Sequence, residues 1–464
     1  MSVHITLGKT GLAADVYGQL RAALLDGRLR TGEALPATRE LARQLAVSRN
    51  TVLHAYERLI AEGFLDGRVG AGTFVSAPAQ LARRAPGGTL APRAVWRPLI
   101  PAPPPRPPVR YDFSVGAPDP ALFPWDEWRR LLARELRGRR RTTELPSPAG
   151  DPGLRVAIAR HLGLSRAVRA GADDVLITSG AQQALDLIGR VRVAPGTCVA
   201  VEEPGYLPAR QVFAALGARV VPVRVDTEGL VVDRLPAATK LVYVTPSHQF
   251  PLGMAMSLPR RLALLAWAER HGAAIVEDDY DSELRFDGRP LEPLQCLDRG
   301  GRVLYIGTFS KVLLPTLRLG FIVAPPSLMP ALHAAKRLAD GHSAVEPQRA
   351  LRNMLDDGLF ARHLRRVLRD YRERRDALLA AIDRHLGDRV TPIHAAAGLH
   401  VSAWLTDRGS NDAALAAAAL AAGIAVEPLS SYFARRSRPG LALGLGLIRA
   451  REIDAGIRAL ARFV

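Results

Sequence analysis

Between residues 175 and 324 short apolar runs recur: VLIT (175–178), CVAVE (198–202), KLVYVTP (240–246), AAIVED (273–278), RVLYIG (302–307) and LGFIVA (319–324). Each is too short for a typical helix, and each reads as a strand buried on both sides. Amphipathic segments such as AQQALDLIGRVRV and PRRLALLAWAERHG lie between some of them. Few folds accept that alternation. It predicts an α/β domain around a largely parallel sheet. In such a sheet ligands bind beyond the carboxyl ends of the strands, so the residues after each run are the candidates for chemistry.

VLIT is followed by SGAQQAL, in which Gly180, Ala181 and Gln182 open a helix. Small residues there leave backbone amides free to cradle a phosphate, a weak signal alone because many such turns look alike. The later runs present Tyr206 in EPGY, His248 in TPSHQFPLG, and Asp278 and Tyr280 in the acidic EDDYDSE. The next presents Lys311 in TFSK, behind Thr308 and Ser310, with Arg318 seven residues on. Singly these have plain readings: a solvated lysine, a capping or Mg²⁺-like acid cluster, a core tyrosine, a structural histidine. Together they supply what pyridoxal 5′-phosphate requires: an amine for its aldehyde, a carboxylate for its ring nitrogen and donors for its phosphate. An aromatic face and a phenol complete the set. Arginine cannot replace the lysine, because only a primary amine forms an imine. No metal site is expected.

Residues 77–110 read APAQLARRAPGGTLAPRAVWRPLIPAPPPRPPVR, with no apolar periodicity. This predicts a linker, stiffened toward polyproline II in PAPPPRPP, although Val95, Trp96, Leu99 and Ile100 could anchor part of it. It separates a domain at 1–76 from one at 111–464. The formal charge is +18, with a net +2 in 1–76, six arginines and no acid in 77–110, and the remainder beyond. Charge alone therefore does not locate a nucleic-acid surface. Only Cys198 and Cys296 are present, which disfavours a disulfide framework or zinc site and fits a reducing cytoplasm. No apolar run resembles a membrane span or a signal peptide.

In the first domain Val16, Leu20 and Leu24 share one helix face. A second helix is expected over 38–45, with Leu41 and Leu45 inward, and a third from Arg49 to about Glu62. Ser48 caps the third helix, Val52, Leu59 and Tyr56 or Ala55 are its buried face, and Gly63 ends it. FLDGRVGAGTFVS then predicts a hairpin wing, making a winged helix-turn-helix of α+β type. Its recognition helix would present Ser48, Arg49, Asn50 and Thr51 to DNA, with Arg39 on the preceding helix. Gly70 and Gly72 would let the wing approach the duplex. A plain three-helix bundle with a solvated arginine face is the alternative.

LPATRELA, VSRNTV, AYERLIAEGF and GAGTFV resemble GntR-type winged helices. TPSHQFPLG, EDDYDSE and TFSKVLLPTLRLG resemble a fold-type-I, aspartate-aminotransferase-like domain, and the whole chain resembles the MocR subfamily of GntR regulators. The resemblance implies Lys311 as the Schiff-base lysine, the one catalytic residue, and Asp278 as the pyridinium partner. It implies Tyr280 at the ring oxygen, Tyr206 stacked on the ring and His248 as a further ring contact. Gly180, Ala181, Gln182, Thr308, Ser310 and Arg318 would surround the phosphate. It also implies operator DNA as partner, a head-to-tail homodimer, and an effector that is pyridoxal phosphate itself or a small amine or amino acid. Vitamin B6 control is one role it implies. Three departures stand out: Ala37 replaces a capping serine, Leu145 a tyrosine that reaches the partner's phosphate. GLALGLGLI lacks the arginine that clamps a substrate carboxylate, with Arg449 just beyond it. The missing arginine favours a regulator that senses through an internal aldimine over an active aminotransferase carrying a DNA-binding domain. A residual half-reaction is compatible with that reading. A bare dimerisation scaffold fits the intact lysine–aspartate set poorly.

Overall fold

The computed structural model describes residues 5–6, 8, 11–68, 70–76, 90–99, 107–137, 145–288, 292–435 and 438–464. Helix α1 (Leu12–Leu25) is followed by β1 (Ala34–Leu35), α2 (Thr38–Gln44) and α3 (Arg49–Ala61). Strands β2 (Leu65–Arg68) and β3 (Gly72–Val75) pair antiparallel, and β1 adds to β3. Val16, Leu20, Leu24, Leu41, Val52, Tyr56, Leu59 and Val75 form a single core. The helical spacing of four therefore predicts the buried faces correctly, Ala55 and Tyr56 both being inward. Leu45 lies just past α2 and is only half-buried. Gly63 follows the C-cap of α3 with φ 77°, a conformation that ends a helix without strain.

The remainder of the chain forms a second unit, divided from the first between Ala94 and Val95. Its first elements are β4 (Tyr111–Asp112), α4 (Trp125–Arg137) and α5 (Pro152–Arg166). Eight strands follow: β5 (Val175–Thr178), β6 (Cys198–Glu203), β7 (Arg219–Asp226), β8 (Gly229–Leu230), β9 (Thr239–Val244), β10 (Ala274–Asp279), β11 (Val303–Thr308) and β12 (Gly320–Val323). Between them run α6 (Ala181–Arg192), α7 (Leu207–Ala215), α8 (Leu258–His271) and α9 (Leu294–Leu297). The sheet order is β5-β12-β11-β10-β9-β6-β7-β8. Strands β11, β10, β9, β6 and β7 are mutually parallel, whereas β12 runs antiparallel to both neighbours. The fold is thus the expected fold-type-I α/β architecture behind a winged helix.

Apolar side chains cover both sheet faces. Leu176, Ile188, Val201, Tyr243, Val276 and Ile322 belong to one cluster, and Ala200, Val242, Leu264, Trp267 and Ile275 to another. Alternate residues of β9 and β10 enter different clusters, as a doubly covered sheet requires. Strand β7 was not among the expected strands: it reads RVVPVRVD, interrupted by proline and arginine, and is largely half-buried.

Helices α10 (Met329–Asp340), α11 (Val345–Asp356) and α12 (Leu359–Leu386) lead to a smaller antiparallel sheet. It comprises β13 (Val390–Pro392), β14 (His400–Leu405), β16 (Glu427–Pro428) and β17 (Gly440–Gly444), in the order β13-β14-β17-β16. Helix α13 (Asp412–Ala421), β15 (Ile424–Ala425), which pairs with β4, and α14 (Ala450–Leu460) complete the unit. Within the linker stretch, Ala94–Leu99 form a 3₁₀ turn with Trp96 exposed. Among the described residues no helix is long and apolar enough to cross a membrane.

Candidate cofactor and DNA-binding sites

Lys311 sits on the turn after β11, and its Nζ donates to the Gly116 carbonyl at 2.6 Å. Burial pushes its ammonium pKa down, against the pull of Asp281, Asp278 and Glu427. Asp278 stands at the carboxyl end of β10 and is 4% exposed. Its Oδ2 accepts from the Tyr243 hydroxyl at 2.7 Å, whereas its buried Oδ1 has no partner among the described residues. Burial raises this carboxyl to about 7, the Tyr243 hydrogen bond opposing the rise. An orphaned buried carboxylate oxygen calls for a donor, and a protonated ring nitrogen is one that would also hold the group ionised.

The anion end is built at the start of α6. Gly180 precedes the helix with φ 82° and ψ 175°, and a Cβ there would lie 3.1 Å from the Arg318 guanidinium. That guanidinium donates to the Ser179 carbonyl. A helix N-terminus beside an arginine could hold a phosphate, by charge and by free amides. Across the turn, Thr308 donates to Ser310 Oγ at 2.9 Å. Behind the cradle, buried Lys336 donates to Gln183, Asp340 and Ser343 at 2.7–2.8 Å, and Gln183 in turn accepts from the Ser179 amide.

A cavity of about 470 Å³ brings these groups together. Ala181, Gln182, Tyr206, Asp278, Tyr280, Thr308, Ser310, Lys311 and Arg318 all line it. Gly180 shapes the cradle through its backbone and is not part of the lining. The expectation for His248 needs correction. It is 1% exposed and lies outside the lining, because Phe250, two residues on, takes the cavity wall instead. The His248 Nδ1 stands 2.8 Å from the Tyr280 hydroxyl and 2.9 Å from Asp281 Oδ2. One ring nitrogen cannot both donate to Asp281 and accept from Tyr280. The charge-assisted bond to Asp281 is the stronger, which frees the Tyr280 proton for the cavity. His248 thus acts through Tyr280 rather than on a ligand.

Sequence reasoning missed Val115, Gly116, Tyr243, Phe250, Asp281, His400 and Tyr432, all of which line the cavity. Asp281 and Phe250 lie inside the quoted motifs, whereas His400, on β14, and Tyr432, on the 3₁₀ turn after β16, belong to no motif. Leu145 is 86% exposed, and Arg449 is exposed at the start of α14, outside the cavity lining.

In the first unit the Ser48 hydroxyl accepts from the Thr51 amide at 3.1 Å and meets its hydroxyl at 2.8 Å. Both hydroxyls therefore serve the cap of α3. Arg49 and Asn50 are exposed at that end, and Arg39 is exposed on α2. Arg43, Arg58 and Arg68 are held by Glu40, Glu62 and Asp66. Arg39 and Arg49 form no ion pair among the described residues, so neither charge is neutralised within the unit. Gly70 and Gly72 lie exposed where the hairpin turns.

Residues 12–75 match the bacterial regulatory proteins of the gntR family, and residues 111–438 match aminotransferase class I and II, a pyridoxal-phosphate-dependent family. The chain is 40% identical to the probable rhizopine catabolism regulatory protein MocR of Rhizobium meliloti, over 96% of this chain and 92% of that one. It is 32% identical to the pyridoxine biosynthesis transcriptional regulator PdxR of Corynebacterium glutamicum, over 94% and 92%. Among solved structures, LysN of Thermus thermophilus, an α-aminoadipate aminotransferase complexed with N-(5′-phosphopyridoxyl)-L-leucine, shares 35% identity. It superposes with a TM-score of 0.69 over 76% of this chain and 91% of its own. The kynurenine aminotransferase of Pyrococcus horikoshii gives 31% and 0.71, over 76% and 89%. A DNA-reading winged helix and an aminotransferase fold in one polypeptide place the chain in the MocR subfamily of GntR-type transcriptional regulators.

Proposed function

We propose that this regulator binds operator DNA through the winged helix and holds pyridoxal 5′-phosphate in the cavity beyond β10 and β11, using the site to sense. The observation that carries the reading is Asp278: a buried carboxylate with an open oxygen, in the same cavity as an amine and an anion cradle. When bound, the cofactor supplies an aldehyde for covalent attachment and an electron-withdrawing ring. Lys311, its ammonium already disfavoured by burial, offers the nucleophilic amine. Asp278 would hold the ring nitrogen protonated, Tyr280 would donate to the ring oxygen, and Tyr206 would cover a ring face. Gly180, Ala181, Gln182, Thr308, Ser310 and Arg318 would hold the phosphate.

The domains are read as 1–76 and 111–464 joined by the 77–110 linker, and the protein as a head-to-tail homodimer. Occupancy of the cavity would then alter how two winged helices are presented. Regulation is favoured over turnover because Arg318, at the phosphate cradle, is the one arginine in the cavity lining among the described residues. Among the described residues, an amino-acid carboxylate would find no bidentate partner in the cavity lining apart from Arg318.

The test is the visible absorption of protein purified with the cofactor. Wild type is expected to show a band that Lys311→Ala abolishes. A band unchanged by that substitution would remove the site. Repeated turnover with an amino acid and a keto acid would favour the enzyme instead.

A further inference from the structure

Part of the cavity wall is formed by the small sheet, and its chemistry points to a class of ligand. In β17, Ala442 is fully buried and packs in a cluster with Leu252 and Leu429. Its partner across the ladder, on the same face of the sheet, is Glu427 of β16. At this pairing the sheet offers a methyl group and a carboxylate. One Glu427 oxygen accepts from the Val115 amide at 3.1 Å, and the other accepts from the Tyr432 hydroxyl. Val115 and Tyr432 both line the cavity, so the carboxylate lies directly behind the wall.

Among the described residues, the polar groups named here as lining that part of the cavity accept rather than donate. Tyr432, whose phenol is held protonated by burial and by Glu427, spends its hydrogen on Glu427 and leaves its oxygen lone pair free. His400 donates from Nε2 to the Pro251 carbonyl at 2.8 Å, and burial, with His248 behind it, pushes its pKa down to about 3. A neutral imidazole with that tautomer keeps a lone pair on Nδ1. Asp281 adds a carboxylate, and Phe250 packs edge-on to Tyr432 with ring centroids 5.0 Å apart. Acceptors and π-faces hold a cation or a hydroxyl well, whereas a carboxylate facing them would lose its water without gaining donors.

We propose that the effector of this regulator is a primary amine without a carboxylate, whose far end carries hydrogen-bond donors, ammonium or hydroxyl, held at the Tyr432–Glu427 wall. The proposal rests on the cofactor reading above: the effector's first amine would take the place of Lys311 on the cofactor's aldehyde carbon, and the Lys311 amine would be released.

A matched series of equal chain length tests it: 1,4-diaminobutane, 4-aminobutan-1-ol and 4-aminobutanoate, titrated into the cofactor-loaded full-length protein by calorimetry. The visible band is followed in parallel. The diamine or the amino alcohol should bind about tenfold or more tightly than 4-aminobutanoate, the scale of one charge-assisted hydrogen bond. The order of those two separates an ammonium from a hydroxyl ligand. Glu427→Gln should shrink the advantage of the donor-ended ligands, and Tyr432→Phe should do so where the first variant fails to fold. Binding of 4-aminobutanoate as tight as that of the diamine and the alcohol would overturn the proposal, as would an advantage that survives both substitutions. If wild type shows no cofactor band, the cofactor reading itself fails and takes this one with it. A normal band with no preference removes the effector class alone.

Discussion

Gly180 occupies a backbone region that is almost exclusive to glycine, and it does so beside the Arg318 guanidinium. A methyl group there would meet both costs: strain of roughly 1–3 kcal/mol and displacement of the arginine that faces the phosphate. Gly180→Ala should therefore weaken cofactor binding by about tenfold or more, read as the concentration of pyridoxal phosphate that half-develops the visible band. Unaltered affinity would mean that the phosphate lies elsewhere. At this scale Lys311, Asp278, Tyr280 and Arg318 are legible in the sequence because each follows a strand whose run of apolar residues is unmistakable. Glu427, Tyr432 and His400 are not. His400 and Tyr432 line the cavity, and Glu427 lies behind them, only because β14, β16 and β17 pair across distant parts of the chain. His248 misleads for a local reason: a Pro-containing loop turns its neighbour Phe250, and not the imidazole, into the cavity.

Helices α2 and α3 differ at their N-caps. In α3 the Ser48 side chain satisfies an otherwise unpaired amide, whereas α2 starts at Ala37, which makes no side-chain cap. Ser48→Ala should destabilise the winged helix by about 1 kcal/mol, and Ala37→Ser should stabilise it by a similar amount. Amide hydrogen exchange within residues 12–75 of the full-length protein would show both changes. Equal exchange in Ser48→Ala and wild type would sink the capping account. The helices of this unit are readable because their apolar period and their caps agree. Strand β7 escapes notice because Pro222, Arg219 and Arg224 break its apolar pattern, and its place is fixed by pairing with β6.

At the scale of the whole molecule, buried acid gathers on β6, β10 and the turn after β10. Burial raises the carboxyls of Glu202, Glu277, Asp278 and Glu283 each to about 7. Between about pH 4 and 7 the folded chain holds protons that the unfolded chain has already released. These groups therefore favour folding at the acidic end of that window, and their contribution is lost as pH rises through it. Buried His161, His363 and His400, whose pKa values are lowered, pull the other way. A difference measurement separates them. Glu202→Gln, compared with wild type in urea without cofactor, should gain relative stability from pH 5 to pH 8 by on the order of 1 kcal/mol or more. A difference independent of pH would show that Glu202 ionises normally.

One chain would carry two functions: a winged helix that binds an operator and a cavity whose lysine reports on its ligand. Coupling between sites has to appear as a change in one affinity when the other site is filled. The most direct measurement is operator affinity with and without pyridoxal 5′-phosphate, at fixed salt, for wild type and Lys311→Ala. The account predicts a severalfold change in wild type, the usual scale of such coupling, and none in the variant. An operator affinity that ignores the cofactor in wild type, or responds equally in both proteins, would contradict it.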